Sequence, residues 1–91
     1  MASIILQFQG TIRLKAGTDS ISVSGGTVKA ALQDAAARLP AEFAEELYRN
    51  GKIKTHFIFI HNGEMLNASA IGKRRISDGD IVRLFAPVGG G

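Results

Sequence analysis

The chain has 91 residues, with 11 basic and 8 acidic side chains, a net charge of +3 and no cysteine. This length fits one small domain, and the lack of cysteine excludes disulfides, thiolate zinc sites, iron–sulfur clusters and cysteine nucleophiles. No apolar run approaches the roughly 20 residues of a membrane span, and the first residues do not resemble a signal peptide. We therefore expect a cytoplasmic protein without membrane contact.

Two strands are predicted near the start of the chain. Residues 4–9 carry apolar side chains at all their even positions, and residues 20–24 alternate polar and apolar. A period of two is typical of half-buried strands. Residues 10–18 between them contain an Ala-Gly pair and are expected to form an irregular connection, so that the two strands pair as a hairpin.

A helix is predicted to begin after Thr27, whose side chain can accept a capping hydrogen bond. Apolar side chains then recur at the spacing of one helical face as far as Leu39, and Pro40 ends the helix because it lacks a backbone donor. A second, shorter helix is expected over residues 41–49, with Asn50-Gly51 as its stop.

The second half of the chain predicts further strands. Residues 55–61 are apolar on both faces, which is typical of a central strand, and Asn62-Gly63 is expected to turn the chain. A short strand over 64–66 and a last strand over 80–85 follow, the latter after the turn pair Asp78-Gly79.

The order of these elements predicts an α+β fold. A mixed sheet of four to five strands with one main helix packed on one face is the β-grasp, or ubiquitin-like, arrangement. We assign residues 1–85 to this domain and residues 86–91 to a flexible C-terminal tail.

The histidines are the first candidates for acid–base or metal chemistry. His56 and His61 are an odd number of positions apart on one predicted strand, so their side chains point to opposite faces and cannot share a metal. We expect them at strand ends near solvent. No metal site and no catalytic pair of carboxylates is predicted, so the chain is not expected to be an enzyme.

The run Lys73-Arg74-Arg75 is the densest cluster of charge. It could contact phosphates or an acidic partner surface, but taken alone it is better explained as a solvated loop. Because no aromatic side chains flank it for base stacking, nucleic-acid binding is not expected.

The chain closes with three glycines after Ala86-Pro87-Val88. Residues without a Cβ can enter a narrow channel in another protein, and the only reactive group there is the α-carboxylate of Gly91. That carboxylate has an unperturbed pKa of about 3.3–3.7, so it is a poor electrophile until an oxygen becomes a leaving group, for instance by adenylation. On the glycines alone, a frayed terminus is an equal alternative.

The residues before the glycines carry a family resemblance. Residues 78–91, DGDIVRLFAPVGGG, resemble the ending of the ubiquitin-like sulfur carriers of the MoaD/ThiS type, which include the small subunit of molybdopterin synthase. The run FIFIHNG at 57–63 is similar to the central strand and turn of that family. The resemblance covers nearly the whole chain, although Ala86 stands where many relatives have a second proline.

The resemblance implies a non-catalytic carrier whose tail is the reactive part. Gly91 would be adenylated by an activating enzyme, which uses ATP, and then converted to a thiocarboxylate, while the carrier itself binds no cofactor. The implied partners are that enzyme, a sulfurtransferase or cysteine desulfurase, and an acceptor enzyme such as a molybdopterin synthase large subunit. Gly89 and Gly90 would thread the tail, and partner docking would involve Phe85, Pro87, Val88, Phe57 and Phe59.

Two alternatives stay open. A ubiquitin-like modifier would use the same tail and the same adenylation, but a partner lysine would attack the activated Gly91 to give an amide. A β-grasp binding module of the TGS type shares an Asp-Gly-Asp turn but has no use for a terminal glycine. The final sulfur acceptor and the role of Lys73-Arg74-Arg75 are not determined by the sequence.

Overall fold

The computed structural model describes residues 2–86. Within this range the chain forms three helices and seven strands. The helices are α1 (Thr11–Ala16), α2 (Val28–Arg38) and α3 (Ala41–Leu47). The strands are β1 (Ala2–Phe8), β2 (Ser20–Gly25), β3 (Tyr48–Arg49), β4 (Lys52–Ile53), β5 (Ile58–His61), β6 (Glu64–Asn67) and β7 (Ile81–Phe85).

Five of the strands form one mixed sheet in the order β2-β1-β7-β5-β6. The pair β1 and β7 is parallel, and the other neighbours are antiparallel. The last strand of the chain therefore lies at the centre of the sheet, between β1 and β5. This is the predicted β-grasp arrangement, with the predicted hairpin of β1 and β2 at one edge.

The core lies on one face of the sheet, under α2. Alternate residues of β1 point into it, and α2 contributes the residues of its predicted apolar face, because side chains at helical spacing share one side. The hydroxyl of Thr27 accepts a hydrogen bond from the backbone N–H of Ala30 at 3.2 Å, which caps α2 as expected. The fully buried residues include Ile4, Leu6, Val28, Ala31, Leu32, Ala35, Phe43, Leu47, Phe59, Val82 and Leu84.

Residues 10–18 are not an irregular connection, as the sequence had predicted, because they contain α1. Ile12 and Ala16, four positions apart, are buried in the core and give the short helix an apolar side. Gly17 ends it in the left-handed conformation, at φ 75°, and its N–H bonds to the carbonyl of Arg13 at 3.0 Å. This C-cap is the local signal that the prediction missed.

The second of the two predicted helices corresponds to α3, which is shorter than predicted and ends at Leu47. The next residues form an antiparallel hairpin of β3 and β4, in which Tyr48 pairs with Ile53. Asn50 and Gly51 have φ of 52° and 78°, so they are the two central residues of a type I′ hairpin turn. The prediction that they stop a helix is therefore wrong.

The turn at Asn62-Gly63 is as predicted. Both residues have positive φ, 49° and 90°, and they connect β5 to β6. The predicted central strand begins only at Ile58. Before β7, the N–H of Asp80 bonds to the carbonyl of Ser77 at 3.0 Å, closing a turn with Gly79 at φ 85°.

Candidate functional site

The strand that leads to the glycine tail is held on both sides. Gln7 of β1 pairs with Arg83 of β7, and Phe85 at the end of β7 pairs with Ile58 at the start of β5. The tail therefore begins at a fixed point in the middle of the sheet, at the end where β5 begins. The predicted tail residues Pro87, Val88, Gly89, Gly90 and Gly91 lie outside the described residues.

The face of the sheet opposite α2 carries a cluster of apolar side chains. The buried side chains of all three helices belong to the core on the other face. Since paired residues of neighbouring strands share one face, the register brings six apolar residues to the open side. We call this set the open face: Ile5, Ile58, Ile60, Met65, Ile81 and Phe85.

The open face is accessible to a partner protein. Met65 is 65% exposed and Ile81 is 42% exposed, while Ile58, Ile60 and Phe85 are half-buried. Arg83 lies on the same side, opposite Ile60, so the apolar side chains flank one cation, and apolar residues together with arginine are enriched at protein–protein interfaces. The open face adjoins the start of the tail, because Phe85 belongs to it.

The prediction that Phe57 and Phe59 dock on a partner is wrong, because it chose the wrong face of the strand. Phe57 is 1% exposed and Phe59 is fully buried, so both are core residues and cannot contact a partner. Because side chains alternate along a strand, the neighbours Ile58 and Ile60 face outward in their place. The apolar surface predicted on this strand is therefore formed by Ile58 and Ile60, and its contact with a partner stays a prediction.

The three residues of the basic run do not act together. Lys73 and Arg75 are exposed, whereas the side chain of Arg74 is directed to His61 and Glu64. The run lies beside the start of α2, where the backbone of Arg75 bridges to Thr27. Since His61 ends β5 and the tail leaves where β5 begins, the run sits at the opposite end of the strand from the tail.

The prediction that His61 lies near solvent is wrong. Its side chain is buried, at 7% exposed, and forms part of a hydrogen-bonded network. Its Nε2 lies 2.7 Å from Oδ2 of Asp80, and its Nδ1 accepts from Nε of Arg74 at 2.9 Å. The same Arg74 forms two bonds to the carboxylate of Glu64. The side-chain amide of Asn62 also belongs to the network, because its Nδ2 donates a hydrogen bond to Oδ1 of Asp80 at 2.9 Å.

The network shifts the titration of its carboxylates. The hydrogen bond from His61 holds the pKa of Asp80 at about 2, with help from Asn62 and from the backbone N–H of Ser77. The pKa of Glu64 is lowered by its hydrogen bond and charge interaction with Arg74. The ionised form of Asp80 is therefore the one that ties the turn before β7 to the end of β5.

His56 lies just before β5, and its ring stacks on that of Phe57 with centroids 4.5 Å apart. Among residues 2–86, no group of three His, Asp or Glu side chains could hold a metal ion. None of the helices in that range has the length and apolar character needed to cross a membrane.

The sequence of the chain, including its three terminal glycines, matches a known family. The ThiS family model matches residues 6–91, so the chain belongs to the ThiS family. This confirms the resemblance to ubiquitin-like sulfur carriers. No curated protein matches the chain in sequence at a significant level.

Solved structures with the same fold cover nearly the whole chain. SAMP1 from Haloferax volcanii is 25% identical, with 99% of this chain and 100% of that chain covered and a TM-score of 0.81. The Haloferax volcanii HVO 2177 protein is 31% identical, with 99% and 87% covered and a TM-score of 0.74. A chain of the Amycolatopsis orientalis BexX/CysO complex is 20% identical, with 97% and 99% covered and a TM-score of 0.77.

Proposed function

We propose that the protein is a non-catalytic sulfur carrier that acts through its C-terminal glycine. The observation that carries the proposal is the central strand β7, which leads from a β-grasp sheet of the ThiS family directly into a sequence ending in three glycines. The tail starts beside the open face, so one partner can bind the face and hold the tail at once.

The chemistry follows from the carboxylate of Gly91. Its oxygen attacks the α-phosphorus of ATP in the active site of an activating enzyme, which releases pyrophosphate and leaves an acyl-adenylate. A sulfide ion then attacks the carbonyl carbon and displaces AMP. Where the sulfur comes as the persulfide of a sulfurtransferase or cysteine desulfurase, its terminal sulfur displaces AMP to give an acyl disulfide, and a thiol reduces that disulfide to release the thiocarboxylate. The product is a thiocarboxylate, which an acceptor enzyme such as a molybdopterin synthase large subunit would use as its sulfur source.

The parts of this chain have separate roles in the proposal. Gly89 and Gly90 allow the tail to enter a narrow active site because they have no side chains. Pro87 and Val88 would contact the channel entrance, and Phe85 with the open face would bind the partner's surface. ATP is a substrate of the activating enzyme and is not held by the carrier.

The test is the intact mass of the protein after incubation with ATP, an activating enzyme and sulfide. We expect a gain equal to the replacement of one oxygen by sulfur, and no gain in a variant that lacks Gly91. An unchanged mass with every activating enzyme from the same organism would overturn the proposal.

The second candidate is a protein modifier, and the similarity to SAMP1, which related structures name small archaeal modifier protein 1, favours it. In that case the amine of a target lysine attacks the activated Gly91 and displaces AMP to give an amide. Recovery of lysines of cellular proteins that carry the tryptic remnant of this chain, residues 84–91 after cleavage at Arg83, dependent on Gly91, would support it. Thiocarboxylate formation without any such remnants would leave only the carrier.

A further inference from the structure

The hairpin of β3 and β4 carries positive charge that the proposed function does not use. Arg49, Lys52 and Lys54 fall within six residues, and no acidic residue lies between Glu46 and Glu64. Arg49 and Lys52 are exposed, and none of the three cations forms an ion pair within residues 2–86. We call residues 48–54 the basic hairpin.

The basic hairpin lies at the end of the sheet from which the tail leaves. The carbonyl of Lys54 accepts a hydrogen bond from the N–H of Phe57 at 3.5 Å, and the next residue, Ile58, pairs with Phe85. Only residues 55–57 separate the hairpin from Ile58, which pairs with the last residue of β7. A protein that holds the tail comes close to these cations.

Two hollows flank the hairpin, and cations line both. One, of about 380 Å³, lies between α2 and the hairpin and has Lys29, Tyr48 and Lys52 in its wall. The other, of about 460 Å³, is lined by residues 52–56 and by Arg49. The two hollows share Lys52, so side chains entering them meet positive charge on either side of β4.

The phenol of Tyr48 has an unmet hydrogen bond at this place. Its hydroxyl oxygen is buried, and within the described residues it has no hydrogen-bond partner. Burial raises the pKa of Tyr48, so the phenol is a protonated donor at neutral pH. Buried polar groups are normally satisfied, but less than 1 Å² of this oxygen is accessible, so an acceptor in the first hollow cannot reach it and Tyr48 is only part of the wall.

We propose that the basic hairpin binds an acidic surface of the enzyme that activates Gly91, with a carboxylate in the first hollow between Lys29 and Lys52. The proposal rests on the proposed function. A protein partner is favoured over a nucleic acid because the nearby rings are occupied: His56 stacks on Phe57, and Tyr48 is half-buried. Charge complementarity at such a site speeds association and sets the orientation of the docked carrier.

The experiment measures ATP–pyrophosphate exchange by an adenylating enzyme that activates the wild-type chain, with the carrier as varied substrate. The variant Arg49→Glu/Lys52→Glu reverses two exposed charges on the hairpin. Its matched control, Lys73→Glu/Arg75→Glu, reverses two exposed charges at the other end of β5. Thermal unfolding of each variant verifies that the fold is kept.

We expect the hairpin variant to raise the KM for the carrier by about tenfold at low salt with kcat unchanged, and added salt to shrink the difference. The control should change KM by less than about twofold. Tyr48→Phe, which removes only the buried hydroxyl, should leave KM unchanged with no loss of thermal stability.

Three results would overturn the proposal. Equal effects of the hairpin and control variants would mean that only net charge matters, and an unchanged KM in both would mean that the hairpin makes no contact. If the hairpin variant instead lost binding to single-stranded RNA while activation was unchanged, the cations would serve a nucleic acid. If no adenylating enzyme of the same organism activated the wild-type chain, the proposed function itself would be overturned, which separates the two failures.

Discussion

Nε of Arg74 donates a hydrogen bond to Nδ1 of His61 at 2.9 Å. A guanidinium has no acceptor, so Nδ1 must present its lone pair, and the proton of the neutral imidazole is on Nε2. There it is donated to Asp80, whose oxygen lies 2.7 Å away. The network accordingly depends on a neutral His61 between a cation and an anion, and it joins β5 to the turn that starts β7.

The stability of the domain is predicted to fall in acid because of Asp80. Its pKa is about 2 in the folded chain against an ordinary value of 3.8. A depressed pKa contributes stability that is fully present above the unfolded value and is lost as the pH falls through the folded value. Unfolding in urea from pH 6 to pH 2 should show the midpoint falling mainly between pH 4 and pH 2.

The variant Asp80→Asn isolates this contribution. It should be less stable than the wild type at pH 6, and the difference should narrow as the pH approaches 2. Glu45→Gln makes the same charge change on the exposed side of α3 and should follow the wild-type profile. A wild-type curve that Asp80→Asn leaves unaltered would show that the carboxylate is not the cause.

Phe59 and Ile60 should separate stability from partner binding. Phe59→Ala empties a fully buried position and should cost about 3–5 kcal/mol of the free energy of unfolding. Ile60→Ala removes a half-buried side chain from the open face and should cost roughly 1 kcal/mol. Urea unfolding measures both, and equal costs would contradict the assigned faces.

The same Ile60→Ala variant, still folded, should weaken activation of the chain by its adenylating enzyme. The expected change is a higher KM with kcat retained, because the proposed function has the open face contact the partner and not the reacting atoms. Leu14→Ala is the matched control, since Leu14 is 70% exposed on α1, outside the open face.

Gly25 and Gly26 are predicted to differ sharply in their tolerance of alanine. A Cβ at Gly25 would lie 2.7 Å from the backbone nitrogen of Ala31, so Gly25→Ala must push α2 away from β2. The cost of such overpacking is about 1–3 kcal/mol. A Cβ at Gly26 would meet nothing within 4 Å, and Gly26→Ala should change stability by less than about 0.5 kcal/mol. Thermal unfolding of the pair decides the matter.

Thr27 should contribute through its cap alone. Thr27→Ala removes the acceptor for the N–H of Ala30 and should lower the free energy of unfolding by about 1 kcal/mol. Thr27→Ser keeps the oxygen and should restore most of the loss. If serine were as destabilising as alanine, the methyl group and not the hydrogen bond would be responsible.

Most of the fold was predictable because burial in this chain follows local periods. The even residues of β1 and the helical spacing after Thr27 identify their buried sides directly. The Asn-Gly pairs show where such reasoning fails. Asn62-Gly63 follows a long apolar run and was assigned correctly, whereas the strands beside Asn50-Gly51 have only two residues each and carry too short a pattern to detect.

The candidate site was predictable in kind but not in detail. Residues 57–60 are all apolar, so no alternation says which pair faces the core; the choice is made by pairing with β7, more than 20 positions further along the chain. The network at His61 depends in the same way on Arg74 and Asp80, 13 and 19 positions away. Such contacts have no local signal in the sequence.

The central place of β7 also has a consequence for biosynthesis. A ribosome releases β7 after every other strand, yet the sheet cannot close until β7 has paired with both β1 and β5. Until then the facing edges of β1 and β5 are unpaired, and such edges attract other nascent chains. The pairing of β7 completes the sheet and at the same time fixes the point from which the tail starts, so both happen late in synthesis. A product terminated before β7 therefore lacks the centre of the open face and, under the proposed function, cannot compete through that face for the activating enzyme.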